Sequence, residues 1–156
     1  MGVIKVVGSV VGITLVLVYA IGSGLWVNTG DNWYQSLNAP SWQPPDFIFG
    51  LIWPYNFIVL AIAAVNISQR LSTSLVITYL GIFAVTVVGA LVWAYQFYRP
   101  HNLQLASLSL TIVAVFTIPL LIIATKSSFG IAGLLLPYQL WVVTAATLSW
   151  SYARLN

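Results

Sequence analysis

The sequence predicts an all-α membrane protein: five transmembrane helices in a single bundle that takes up residues 1–156. Three observations predict it. The 156 residues are 60% hydrophobic and only 4% charged, and a water-facing domain cannot hide that much apolar surface. Lys5, Asp31, Asp46, Arg70, Arg99, Lys126 and Arg154, with His101, all fall at the ends of long apolar runs and never inside one. Each run has 22 to 24 residues, and at about 1.5 Å per residue that crosses the roughly 30 Å hydrocarbon layer. Lipid offers backbone amides no partner, so each run satisfies its own as a helix.

The first run, Val6–Val27, follows Lys5 and ends in the small residues of AIGSG. Its 22 residues exceed the roughly 7–15 of a secretion-signal core, so it reads as a span. Gly8-x-x-x-Gly12 and Ala20-x-x-x-Gly24 give it a small-residue stripe. Another helix can approach there, either within the bundle or across a dimer. The second span, Phe47–Ser68, carries Pro54, and the third, Leu75–Tyr98, carries Gly81 and Gly89 with the same two readings. The fourth, Leu103–Thr125, and the fifth, Phe129–Tyr152, contain Pro119 and Pro137. Membrane helices accept such prolines, with a local kink, where neighbours re-satisfy the freed carbonyl.

Five spans place the N-terminal side, A, opposite side B, which holds the 99–102 link, Arg154 and the one long connection, residues 28–46. Lys5, Arg70 and Lys126 on side A against Arg99 and Arg154 on side B are too even a split to orient the bundle by its cations. No extension precedes the first span, so a bacterial-type cell membrane is expected.

What the chain lacks narrows its function. There is no cysteine, which excludes disulfides, thiolate nucleophiles and thiolate metal sites. His101 stands beside Arg99 and Pro100, away from any carboxylate, so no metal site is expected. A net charge of +3 spread over single residues gives no patch for nucleic acid. No ionisable group lies mid-span, which argues against proton-coupled or ion-coupled transport. The carboxylates are Asp31 and Asp46 alone, too few for a Ser/His/Asp hydrolase.

The aromatic residues are the positive signal. Trp26, Trp33, Trp42 and Trp150 lie near side B, as an interfacial belt would place them. Trp53 and Trp93 lie about 8–10 Å inside the same face, and Trp141 lies near mid-span. A belt does not account for those three. Helical spacing gathers Phe49, Trp53, Phe57 and Leu60 on one face, Gly89, Trp93 and Phe97 on another, and Tyr138, Trp141, Ala145 and Leu148 on a third. Converging, they make a flat apolar pocket open to side B; otherwise the rings are core or lipid-facing. Of the isolated polar residues Thr14, Asn56, Thr86, Gln96, Thr117 and Gln139, most serve helix packing, and Asn56 and Gln139 are the candidates for ligand contact. Leu148-x-x-x-Tyr152-x-Arg154 follows a sterol-contact pattern that also fits an interface anchor. Pro40, Pro44 and Pro45 stiffen the 28–46 loop, so Trp33, Tyr34 and Trp42 are held at low entropic cost. The loop is expected to be a lid over the pocket mouth, ending where Asp46 starts the second span.

WYQSLNAPSWQPPDFIFGLIW, Trp33 to Trp53, resembles the signature of the TspO/translocator protein family, also called tryptophan-rich sensory proteins. Its W-Y-x-x-L-x-x-P-S-W-x-P-P loop and following F-x-x-x-W pair are matched by Trp33, Tyr34, Leu37, Pro40, Ser41, Trp42, Pro44, Pro45, Phe49 and Trp53. LLLPYQLWVVTAATLSW resembles the family's fifth helix through Pro137, Tyr138, Trp141 and Ala145, and Trp93, Phe97 and Tyr98 resemble the end of its third. Ala90, Leu51, Phe57 and the Ser149-Trp150 pair depart from the family pattern and make the pocket less polar.

The resemblance implies a five-helix bundle, commonly a homodimer, surrounded by membrane lipid. It implies non-covalent binding of a tetrapyrrole such as protoporphyrin IX or haem, by a sensor, scavenger or carrier; animal members also bind cholesterol and benzodiazepine-type drugs. The implied pocket residues are Tyr34, Trp53, Phe57, Trp141 and Ala145. With the residues read from spacing, the candidate set adds Trp42, Phe49, Asn56, Trp93, Phe97 and Tyr138. Two alternatives accompany it: light-dependent porphyrin degradation, which would fall on Trp53 and Trp141, and transport of porphyrin or sterol, against which the sequence shows no inverted repeat.

Overall fold

A computed structural model describes residues 2–156, and within them every regular element is helical. The long helices are α1 (Gly2–Gly24), α3 (Asp46–Arg70), α4 (Thr73–Tyr98), α5 (Leu103–Ser127) and α6 (Phe129–Leu155), with the single-turn α2 (Asn32–Ser36) between α1 and α3. All five long helices have the length and apolarity to cross a membrane.

The helix ends differ from the expected spans by up to about four residues, and two differences shape the long connection. α1 stops at Gly24 rather than Val27, after Gly22, Ser23 and Gly24, all poor helix formers. Trp26 N and Val27 N then fold back onto Ser23 O. The connecting loop is also not wholly irregular. Asp31 accepts from Trp33 N at 3.4 Å and caps α2, which satisfies an orphan amide of a turn too short to show a period. Asp46 does begin α3, directly after Pro44 and Pro45, and the interior prolines Pro54, Pro119 and Pro137 sit within unbroken helices. Tyr55 Oη donates to Leu134 O, in the turn before Pro137, at 2.8 Å and ties α3 to α6.

The helices form a ring in which α1 packs on α3 and α4, α3 on α6, α6 on α5, and α5 on α4. Small residues set the closest approaches. A Cβ at Gly12 would stand 2.5 Å from Ala64 Cβ, and one at Gly8 would stand 2.8 Å from Ser68 Oγ. That part of the stripe is spent inside the bundle, between α1 and α3. Gly89 likewise admits Val113, whereas Gly81 faces open space. Polar bonds also tie neighbouring helices, three of them between the same pair. Gln139 Nε2 donates to Ala114 O at 3.0 Å, the Ser107 and Ser149 hydroxyls lie 2.9 Å apart, and Trp150 Nε1 donates to Thr111 Oγ1 at 2.9 Å. All three join α5 to α6. Thr14, Thr86 and Thr117 instead bond to carbonyls of their own helices.

Candidate functional site

At the side-B end the ring opens into a cavity of about 710 Å³, within the range of roughly 300–1,000 Å³ typical of small-molecule sites. Four helices and the 25–45 loop wall it, and α5 contributes nothing. From α3, Phe49, Trp53 and Phe57 step along one face by four residues, as a helix requires. Trp53 stacks on Phe57 at 5.7 Å between centroids, and both meet Tyr19 of α1 edge-on, at 6.0 and 5.2 Å. From α6, Trp141 meets Phe49 edge-on at 5.1 Å, while Ala145 next to it leaves space. Trp93 and Phe97 of α4 close the opposite wall, 6.1 Å apart.

The loop roofs this cavity. Trp33 stacks on His101 at 3.6 Å and 8° and meets Phe97 edge-on at 5.8 Å. Tyr34 stacks on Tyr98 at 5.8 Å, and its hydroxyl lies 3.5 Å from that of Tyr152. Tyr152 Oη in turn donates to Gln43 Oε1. Next to these rings, Asn38 N donates to Asn156 Oδ1 at 2.8 Å, and Asn156 Nδ2 donates to Asn38 O at 3.2 Å. His101 adopts φ 59°, a left-handed position that costs a non-glycine residue about 1–2 kcal/mol. The strain is held where the chain turns from α4 into α5, and it brings the imidazole onto the lid.

The Asn38–Asn156 clasp carries its own prediction. Each bond contributes about 1 kcal/mol net, so Asn156→Ala is expected to speed amide exchange at Asn38 roughly fivefold, with exchange in mid-helix α5 unchanged. An unchanged Asn38 rate would remove the clasp as a restraint on the lid.

The predicted residues Tyr34, Phe49, Trp53, Phe57, Trp93, Phe97, Trp141 and Ala145 all border the cavity. Three do not. Asn56 is fully buried, with neither its amide nitrogen nor its amide oxygen bonded. One residue before Phe57, it is turned about 100° away from the cavity face and into the helix core. Tyr138 is buried one turn below Trp141, in the core with Tyr19 and Tyr79. Trp42 is 46% exposed, because a turn in which Gln43 N donates to Pro40 O sends Gln43 inward and Trp42 outward. Gln139, the other polar candidate, is used in its bond to α5. Of the sterol-type pattern, Leu148 and Tyr152 reach the cavity, and Arg154 does not. Among the departures from the family pattern, Ala90 is buried and Leu51 faces outward, while Ser149 lines the cavity.

Sequence reasoning missed Ala20, Ser23, Gln43 and Asp46 as lining residues. Ala20 belonged to the small-residue stripe, and its smallness is clearance for the cavity. Gln43 and Asp46 had no signal beyond flanking Pro44 and Pro45.

Fold and site together define a multi-pass membrane protein with a roofed, aromatic-walled cavity at one end of the bundle. Residues 10–155 match the TspO/MBR family. The chain is 32% identical, over 97% of its length and 98% of the other's, to the uncharacterized membrane protein YtaB of Bacillus subtilis. It is 31% identical to the tryptophan-rich protein TspO of Bacillus cereus over 80% of each chain, and 24% identical to the human translocator protein over 87% and 82%. This chain belongs to the TspO/MBR family and is an integral, multi-pass membrane protein.

Proposed function

We propose that the protein binds a flat hydrophobic tetrapyrrole, such as protoporphyrin IX or haem, and acts as a sensor, scavenger or carrier of it. The observation that carries this reading is the cavity itself: about 710 Å³, roofed by a loop and faced by Trp53, Trp93, Trp141, Phe49 and Phe57. Aromatic faces suit a flat conjugated ligand through burial and offset stacking. A relative's name, tryptophan-rich sensory protein, fits a sensing role.

The test is a titration of tryptophan emission with protoporphyrin IX. Three of the seven tryptophans border the cavity, so quenching should saturate at one ligand per chain, and non-fluorescent haem should compete for the same site. Quenching that stays linear in ligand, without competition, would overturn the reading.

A further inference from the structure

We propose that the cavity grades flat aromatic ligands by charge: a dicarboxylic porphyrin binds with its carboxylates held out in water, and the same ring with neutral or cationic rim-facing groups binds more tightly. This rests on the ligand-binding reading above and adds a substrate class to it.

Among the described residues that border the cavity, Asp46 alone carries a charge, and no lysine or arginine joins it. The cations are placed elsewhere. Arg70 and Lys126 stand in the last turns of α3 and α5, at side A, and Lys5 lies in the second turn of α1, at the same end. On side B, Arg99 Nη2 donates to Leu25 O at 3.4 Å, and Arg154 is exposed; neither borders the cavity. The neutral polar groups at the rim are partly committed to one another, since Tyr152 donates to Gln43 and lies beside Tyr34. Asp46 is exposed at the mouth, so a ligand carboxylate there would meet a water-screened like charge, and one drawn deeper would lose its water with no compensating cation. A ligand cation would meet Asp46 at the rim and the negative faces of the indoles below it. The propionates of a dicarboxylic porphyrin must therefore project past the lid into water, and neutralising them should tighten binding.

The experiment uses the full chain in zwitterionic lipid nanodiscs, with partition into protein-free discs subtracted. Three forms of one chromophore serve as probes: protoporphyrin IX, its dimethyl ester, and a bis-amide carrying primary amines. The expected order of affinity is amine, then ester, then diacid, with the extremes about tenfold apart. Asp46→Asn should weaken the amine about two- to fivefold, strengthen the diacid by a similar factor and leave the ester unchanged, which also reports that the cavity is intact. A change of opposite sign for two ligands is something a merely structural role for Asp46 does not produce. A diacid that binds as tightly as its ester, or an Asp46→Asn change that moves all three forms together, would overturn the charge selection alone. Absence of saturable binding by every form would overturn the proposed function and this inference with it.

Discussion

Gly12→Val is expected to cost the bundle about 1–3 kcal/mol, the range for overpacking a close contact. The contact is the approach of α1 to α3, where a Cβ on residue 12 would stand 2.5 Å from Ala64 Cβ. Ala64 Cβ is not the far tip of a flexible side chain, so no rotamer change relieves the clash and α1 itself must lift. That displacement has a second consequence, because α1 supplies Ala20, Ser23 and Gly24 to the cavity wall. Thermal unfolding in detergent should therefore show a lower midpoint for Gly12→Val, and ligand affinity should fall with it. Gly81→Val is the matched control: nothing lies within 4 Å of its Cβ position, so its midpoint should stay with the parent chain. Equal midpoints for the two variants would mean that α1 is free to adjust and that the small residues of α1 do not set its position.

The helices were legible in the sequence because lipid imposes one rule on backbone and side chains alike: long apolar runs, bounded by charge, with every amide paired internally. How those helices are arranged was not. Inside a soluble protein, the polar face of a helix declares which side meets water, but here the packed and the lipid-facing sides are both apolar. Phe57 and Asn56 show the consequence. Spacing placed Phe57 with Phe49 and Trp53, where the cavity indeed lies, whereas Asn56 was a candidate on polarity alone and turns into the core. Tyr138 and Trp141 share a stripe, and only the depth at which the cavity ends separates them. Gly8 and Gly12 marked a close helix contact, yet only the structure names α3 as the partner. The lid's prolines were visible as stiffness. The turn that points Trp42 outward and Gln43 inward depends on a backbone hydrogen bond to Pro40 that composition does not announce.

Trp141→Ala and Trp53→Ala are each expected to weaken tetrapyrrole binding by about 1–3 kcal/mol, roughly 5- to 150-fold, which is the scale of losing one aromatic stacking platform. Trp141 is buried at the cavity wall, and its edge contact with Phe49 at 5.1 Å holds that ring as well. Its loss removes one wall and frees a second. Trp53 is held by Phe57 behind it and Tyr19 beneath it, so Ala there leaves a gap that the neighbours are too constrained to fill. If the two indoles contact one ligand, the double variant should lose less than the sum of the single losses, since each loss already loosens the ligand from the other ring. Ligand absorbance is the proper readout, because removing a tryptophan changes protein emission by itself. Trp42→Ala supplies the comparison. Trp42 belongs to the same sequence signature yet points away from the cavity, and its replacement should leave affinity within about twofold, as expected for an exposed residue outside the site. Loss of binding with Trp42→Ala, combined with full binding by the Trp53 and Trp141 variants, would move the site out of the bundle and onto the outer face of the lid.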